Sequence, residues 1–352
     1  MLFRSGLLWA GTDDGLVWTT SDEGGHWQEE TPAGLTAWSK VTQLEASHFD
    51  TRTAYASVSR LRVDDQTPYL YRTRDGGAHW QLVTRGLENA GPVNAVREDP
   101  VRRGLLYAAT ELGVWVSFDD GDAWLPLNNN LPHTSARDLV IKDADLIVAT
   151  HGRGFWVLDD VSRLRQWSPK TLAQPWLVKP AAAVRVARSA WTDTPIAPDE
   201  PTGQNPPDGA VLEYFLPHDA GALVRLRILD DKGGVVREYS ARDAQEPSAE
   251  ELARGLIPTW WAEVRPPLPS TAGMHRWVWD LRLPSPRTTT KGYPIGAVPH
   301  RTPRDPQGLW VPPGRYTVEL WQGDEMWSES LEIQADPRLS ASQRAGVAEQ
   351  FR

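Results

Sequence analysis

Nine side chains in predicted turns have the types and positions to do chemistry. They are five carboxylates and four basic groups: Asp13, Asp14, Asp64, Asp65 and Glu111, with Arg60, Arg62, His151 and Arg153. A pair of carboxylates could supply the general acid and base that hydrolyse a glycoside, and Arg and His beside them could hold a polar ligand. The other interpretation is a solvated face of turn residues, because Asp-Asp-Gly is common in hairpins. Both interpretations stay open at this point.

A repeated motif, which we call the box, determines where these turns lie. It has the form Thr/Ser-x-Asp-x-Gly-x-x-Trp and begins at Thr20, Thr73 and Ser117. The Asp can accept hydrogen bonds from backbone N–H groups of its own turn, and the Gly provides a positive φ. The Trp fills the space between neighbouring sheets. We therefore predict a structural role, rather than calcium or sugar binding, for Asp22, Gly24, Trp27, Asp75, Gly77, Trp80, Asp119, Gly121 and Trp124.

Each box follows a short apolar strand, and another strand lies upstream of that one. A fourth copy keeps both strands, at 146–150 and 154–158, but ends in Asp159-Asp160 without Gly or Trp. If the box joins the third and fourth strands of an antiparallel sheet, the turn between the second and third strands lies at the opposite end. The nine charged residues are therefore expected on one face, where repeated sheets of this kind commonly bind ligands.

Residues 5–165 resemble the Asp-box, or BNR-repeat, β-propellers. The resemblance rests on the segments 8–15, 107–115 and 149–156. Within that group the chain is similar to large bacterial proteins of the glycosyl-hydrolase-like, sortilin-like and photosystem II assembly-factor-like kind, and it corresponds to their C-terminal portion. The resemblance implies an all-β fold with a partial propeller of about 3.5 blades at 1–165 and self-association through open propeller edges. It also implies a secreted or periplasmic parent protein, although this chain shows no convincing signal peptide.

The second half is predicted to form a separate β domain. Its parts are a Pro-rich linker, a β-sandwich with a short helical insertion, and a C-terminal helix, at 166–207, 208–338 and 339–352. The sandwich prediction rests on strands that alternate at period two between turn residues. Ser248 is the predicted N-cap of the helical insertion. Through the segments 273–277 and 313–317, this half resembles the immunoglobulin or fibronectin type III-like sandwich of the same proteins.

Composition excludes several classes of function. The chain has no Cys, so it has no thiolate nucleophile and no Cys-ligated metal. A balance of 37 Lys+Arg against 46 Asp+Glu gives a net charge of −9, which argues against a nucleic-acid-binding surface. No apolar run reaches the roughly 18 residues of a membrane span. The histidines lack metal-ligand spacing, and no metal or cofactor is predicted.

The preferred hypothesis is a non-catalytic binding or scaffold module that recognises a polysaccharide or a protein on the face with the nine charged residues. The alternative is a glycoside hydrolase whose acid and base come from the five carboxylates. Trp260, Trp261, Trp310 and Trp327 lie outside the boxes and could stack on sugar rings. Core and inter-domain packing is the favoured role for these four residues.

Overall fold

The chain is all-β and divides into two compact units. This computed structural model describes residues 7–186, 203, 206–255, 258–287, 292–293 and 304–349. Strands account for 42% and helices for 10% of the structure. The units comprise residues 1–165 and 166–352. Among the described residues, no helix is long and apolar enough to cross a membrane.

The first unit is a succession of four antiparallel sheets, each formed by consecutive strands. The strands are β1 (Leu8–Gly11), β2 (Val17–Thr20), β3 (Gln28–Glu29), β4 (Lys40–Ala46), β5 (Ala54–Arg60), β6 (Asp65–Thr73), β7 (Trp80–Leu82), β8 (Val93–Glu98), β9 (Leu106–Thr110), β10 (Gly113–Ser117), β11 (Leu125–Pro126), β12 (Ala136–Lys142), β13 (Asp145–Thr150) and β14 (Phe155–Leu158). Sheet 1 is β1–β3, sheet 2 is β4–β7, sheet 3 is β8–β11 and sheet 4 is β12–β14. Sheets 2 and 3 have the four-stranded meander order of a propeller blade.

Apolar clusters lie between successive sheets, which explains why the strand sequences do not alternate in polarity. All five residues of β9 are buried, because sheet 3 is covered on both faces. Val17 of sheet 1 packs with Tyr71 of sheet 2, and Leu70 of sheet 2 packs with Trp124 of sheet 3. Each interior sheet therefore has one apolar face for the preceding sheet and one for the next.

The box turns are held by their own side chains. Asp75 Oδ1 accepts hydrogen bonds from the backbone N–H of His79 and from the Thr73 hydroxyl, each at 2.9 Å. The same hydroxyl accepts from the N–H of Gly77 at 2.9 Å, where φ is +104°. The backbone and ring hydrogen bonds of His79 lower the pKa of Asp75 to about 2. The boxes at Thr20 and Ser117 have the same backbone contacts.

Two box tryptophans join one sheet to the preceding sheet. Trp80 Nε1 donates to the Glu30 carbonyl at 2.7 Å, and Trp124 Nε1 donates to the Val83 carbonyl at 2.9 Å. Glu30 and Val83 each follow the last strand of the preceding sheet. Trp27, the equivalent residue of sheet 1, is 44% exposed. A hydrogen bond to the preceding sheet is thus present at Trp80 and Trp124.

A buried arginine reinforces the contact between sheets 2 and 3. The Arg72 side chain is 2% exposed, and its guanidinium donates to Asp120 and lies 3.0 Å from Asp122 Oδ1. Tyr55 donates its hydroxyl to Asp120, and burial raises the pKa of Tyr55 well above its usual range. The second and third sheets are thus joined by a polar network as well as by apolar packing.

The second unit consists of two sheets on a common core. Within the described ranges its strands are β15 (Trp176–Leu177), β16 (Ala183–Arg185), β17 (Ala210–Leu216), β18 (Val224–Leu229), β19 (Val235–Ser240), β20 (Gly273–Trp279), β21 (Gly314–Gln322) and β22 (Glu325–Ala335). The α-helices in the described part of the chain are α1 (Ser162–Gln166), α2 (Ala249–Arg254) and α3 (Ala341–Glu349). One sheet has the order β15-β17-β20 and the other β16-β22-β21-β18-β19. Trp279 of the first sheet meets Tyr316 of the second edge to face, with ring centroids 5.8 Å apart.

The range predicted as a linker contributes two of these strands. β15 pairs with β17, and β16 pairs in parallel with β22. Strands of two and three residues are too short to show a periodicity, so the Pro-rich composition alone determined the prediction. At α2 the structure agrees with the sequence, since Ser248 accepts from the N–H of Glu251 in a capping box.

Candidate functional site

The predicted site residues lie in turns at one end of the sheets, as the strand order requires. We call this region the turn face. It consists of four turns between paired strands, at residues 12–16, 60–65, 111–112 and 151–154. It also includes residues 36–40, which precede β4 and form its first residue. Contacts between sheets support the grouping. Asp13 of sheet 1 meets Arg62 of sheet 2, and Glu111 of sheet 3 meets Arg137 of sheet 4.

Asp13 is held between two cations. Arg62 donates from Nη1 to Asp13 Oδ2, and Lys40 Nζ lies 3.6 Å from Asp13 Oδ1. The hydrogen bond from Arg62 lowers the pKa of Asp13. The neighbouring Asp14 accepts a hydrogen bond from Thr12 within the same turn. Asp13 is therefore an ionised, paired carboxylate rather than a proton donor.

Asp65 is fixed within its own loop. Its carboxylate accepts from the N–H of Thr67 at 3.0 Å and from the Tyr69 hydroxyl at 2.9 Å, and it lies 3.1 Å from Arg60 Nε. The backbone hydrogen bond from Thr67 lowers the pKa of Asp65. Asp64 has a left-handed conformation with φ of 59° and ends the helical turn of this loop.

Glu111 is paired with residues that sequence reasoning missed. Arg137 Nη1 donates to it at 2.8 Å and Asn94 Nδ2 at 3.2 Å. Arg137 lies in β12 and Asn94 in β8, the first strands of sheets 4 and 3. At each of these residues the pairing register with the next strand shifts, as it does at a β-bulge. A β-bulge redirects side chains in this way, and a single sequence gives no signal for a bulge at these positions.

His151 and Arg153 lie in the turn of sheet 4 and are exposed. Their backbone atoms hold the turn: the N–H of His151 donates to Ser135 at 2.8 Å, and the Arg153 carbonyl accepts from Trp156 Nε1 at 3.1 Å. In the described part of the chain, neither side chain forms an ion pair with a predicted carboxylate. The structure thus places these two residues in a turn of the turn face, where their side chains are exposed.

Exposed apolar side chains flank the Asp13–Arg62 pair, and the sequence analysis did not identify them. Trp38 is 61% exposed, and Leu61 and Val63 are each 42% exposed. The N–H of Trp38 donates to the Asp14 carbonyl at 3.1 Å, which fixes the residue beside the turn. Trp38 does not occupy the Trp position of a box. The only signal for it in the sequence is its position in the loop before β4.

An open groove lies beside this patch. It has a volume of about 850 Å³, and residues that line it include Asp64, Leu82, Arg85 and Glu88. Its lining carries both signs of charge and one exposed leucine. Such a groove can accept an extended chain with mixed polar and apolar side chains.

These environments suit binding better than proton transfer. A catalytic acid needs a pKa raised towards neutrality, usually by burial in an apolar site. The pKa values of Asp13 and Asp65 are instead lowered, and Glu111 is paired with Arg137. Among the residues that the structure describes, no group of three His, Asp or Glu side chains could hold a metal ion.

The second unit has a separate cavity of about 590 Å³ that includes Trp310 in its lining. The guanidinium groups of Arg282 and Arg185 lie 4.4 and 5.3 Å from the centroid of this ring. Because these cations already contact the aromatic ring, a sugar would have to compete with them for it. Trp260 is 45% exposed and meets Trp261 edge to face.

Comparison with known proteins gives structural similarities only. No protein-family model and no curated protein matches the chain. A structure of YCF48 bound to a D1 peptide is similar over 67% of this chain and 66% of its own, with 13% identity and a TM-score of 0.35. The GH74 xyloglucanase from Xanthomonas campestris is similar over 99% of this chain and 46% of its own, with 13% identity and a TM-score of 0.35. YCF48 from Cyanidioschyzon merolae is similar over 45% and 50%, with 16% identity and a TM-score of 0.33. The chain therefore spans about half to two thirds of the length of these structures.

Proposed function

We propose that the first unit is a non-catalytic binding module of the propeller type, and that its turn face binds a protein ligand in an extended conformation. The observation that carries this proposal is the pairing of three of the five candidate carboxylates, Asp13, Asp65 and Glu111, with arginines beside an exposed apolar patch. Asp13 and Asp65 are kept ionised, whereas Trp38, Leu61 and Val63 remain accessible. A central aromatic anchor within a polar rim is typical of protein interfaces.

The fold supports the proposal at a coarser level. The sheets of the first unit follow one another as meanders and pack through apolar faces, which is how propeller blades are arranged. We treat sheets 1 to 4 as blades on this basis. The two sheets around one core in the second unit favour a sandwich of the immunoglobulin kind.

The experiment is a selection of random peptides on the immobilised chain, followed by calorimetric titration of the selected peptides. We expect Trp38→Ala to weaken their binding by at least about 2 kcal/mol, or about 30-fold, because an exposed Trp anchor is lost. Trp260→Ala is the control, since Trp260 is also an exposed tryptophan, at 45%, but belongs to the second unit. Its affinity should stay within about twofold of the wild type. Failure to select any peptide, or equal binding by Trp38→Ala, would contradict the proposal.

The hydrolase alternative is tested in the same preparation. The wild type and an Asp13→Asn/Glu111→Gln variant are incubated with plant and bacterial glycans, and reducing ends are measured. We expect no release above buffer from either protein. Release by the wild type that the double substitution abolishes would establish the enzyme instead.

A further inference from the structure

The cavity of about 590 Å³ in the second unit is lined by four arginines and three acidic residues, among other side chains. Two of the acidic residues already have a cationic partner, because Arg265 lies 3.3 Å from Asp280 and 3.8 Å from Glu263. Arg276 is paired with a residue outside the lining, at 2.9 Å from Glu213. The other two arginines are Arg185 and Arg282, which contact the ring of Trp310.

A short β-bridge fixes Arg282 beside this ring. Arg282 pairs with Trp310 in an antiparallel bridge, and the N–H of Val311 donates to the Leu281 carbonyl at 2.9 Å. Residues that oppose each other across such a bridge lie on the same side, and the guanidinium accordingly lies 4.4 Å from the ring centroid. Leu281 has a left-handed conformation with φ of 57°, which is rare for a bulky side chain. Its burial holds the turn that presents Arg282.

The guanidinium of Arg282 keeps donors available for a ligand. It donates to the Gly308 carbonyl at 2.8 Å, and in the described part of the chain it forms no ion pair. An arginine that stacks on an aromatic ring still presents the edge of its N–H fork, which matches the geometry of a carboxylate. Burial lowers the pKa of both Arg282 and Arg185, and the charge of Arg282 also lowers the pKa of Arg185. An anion beside them stabilises their charged forms.

Part of the cavity lining is apolar and includes one unused donor. Val264, Val278 and Leu281 contribute aliphatic side chains. Trp277 also lines the cavity and is 7% exposed, and among the described residues its buried Nε1 has no hydrogen-bond partner. A buried donor without an acceptor is costly, so a ligand with an acceptor for Trp277 gains from the contact. The lining therefore suits a molecule with both apolar and polar parts.

We propose that this cavity binds a small molecule with one carboxylate and an apolar body. The carboxylate accepts hydrogen bonds from Arg282 and Arg185, and the body packs on the aliphatic part of the lining. The ligand carries a single negative charge, because a dianion such as phosphate is repelled by the two carboxylates that Arg265 already pairs. The site lies wholly in the second unit and does not depend on the turn face.

The experiment is calorimetric titration of the full chain with hexanoate, phenylacetate and indole-3-acetate, each compared with its uncharged amide. We expect at least one acid to bind in a one-to-one ratio with a dissociation constant on the order of 1 mM or lower. The corresponding amide should bind at least about 10-fold more weakly, because it cannot form charge-assisted hydrogen bonds with the guanidinium groups. An equal concentration of inorganic phosphate should not displace the acid.

Substitutions then assign the binding to the cavity. Arg282→Gln should raise the dissociation constant at least about 10-fold. Arg225→Gln is the matched control and should change it by less than about twofold, because the Arg225 guanidinium also contacts a tryptophan, 5.3 Å from the Trp321 ring, but does not line the cavity. Val264→Trp fills the cavity without removing a charge and should abolish binding; Val264 is 39% exposed, so the fold should accept the larger side chain.

Circular dichroism checks that the variants are folded. Because Val264→Trp leaves every arginine in place, it tests the site even if Arg282→Gln fails to fold. Three results would each overturn the inference. They are failure of all three acids to bind, equal affinity for an acid and its amide or for phosphate, and wild-type affinity in the folded variants of the cavity.

Discussion

Alanine substitution of the three box tryptophans should produce a graded loss of stability, because equivalent residues have different surroundings. Trp124 is 2% exposed, Trp80 is half-buried and Trp27 is 44% exposed. Trp124 and Trp80 also donate hydrogen bonds to the preceding sheet. The chain thus contains its own series of matched sites, in which the residue type and the local turn are constant.

The expected magnitudes follow from burial. Trp124→Ala removes a buried aromatic side chain and should lower the free energy of unfolding of the first unit by about 3–5 kcal/mol. The hydrogen bond to Val83 accounts for about 1 kcal/mol of this, so Trp124→Phe should cost less than the alanine substitution. Trp80→Ala should fall between the extremes. Trp27→Ala should cost less than about 1 kcal/mol, because nearly half of its surface is already in water.

The assay is native-state hydrogen exchange of peptides from sheets 2 and 3, which reports opening of the first unit separately from the second. Equal losses for Trp124→Ala and Trp27→Ala, within about 0.5 kcal/mol, would refute the argument that the box tryptophan stabilises by joining sheets.

Two further predictions concern the turns. The pKa of Asp75 is about 2 in the folded protein and that of an unfolded Asp is about 3.9. The ionised carboxylate therefore contributes fully to stability above pH ~4, and this contribution is lost as the pH falls towards 2. Asp75→Asn should flatten this part of the pH profile of the unfolding free energy, and an unchanged profile below pH ~4 would contradict the stabilising role of Asp75. Gly86→Ala should destabilise the first unit well beyond the roughly 1 kcal/mol expected for Gly34→Ala. Both glycines have positive φ, but a Cβ at Gly86 would lie 2.3 Å from the Trp124 carbonyl oxygen, whereas one at Gly34 meets nothing within 4 Å. Thermal unfolding of the two variants compares them directly.

Much of the first unit could be predicted because residues close together in the sequence determine its turns and strands. Each box specifies a turn through residues four apart, and the strands beside it are short apolar runs. The strand order then places the charged turns at one end without any knowledge of side-chain contacts. Of the predicted residues, however, only Asp13 with Arg62 and Asp65 with Arg60 are brought into ion pairs with one another.

The remaining features depend on contacts between distant residues. Arg137 reaches Glu111 from a bulge in the next sheet, and Trp38 gains its importance from exposure beside Asp14. Neither bulges nor exposure has a signature in a single sequence. The strand β16 also lay outside what the sequence could predict, and its residues were assigned to a linker. These residues form a strand only through pairing with β22, near the other end of the unit.

That pairing has a consequence for the order of folding during synthesis. Each sheet of the first unit is formed from consecutive strands, so it can close soon after its own residues leave the ribosome. The second unit cannot do so. Its early strand β16 lies at the edge of a sheet and pairs with β22, which is the last strand of that sheet in the sequence. Until residue 335 has been made, β16 has no partner, and the apolar residues of the unfinished core stay accessible to chaperones. The two units should therefore acquire protease resistance at different times on a stalled ribosome, the first gradually and the second in one late step.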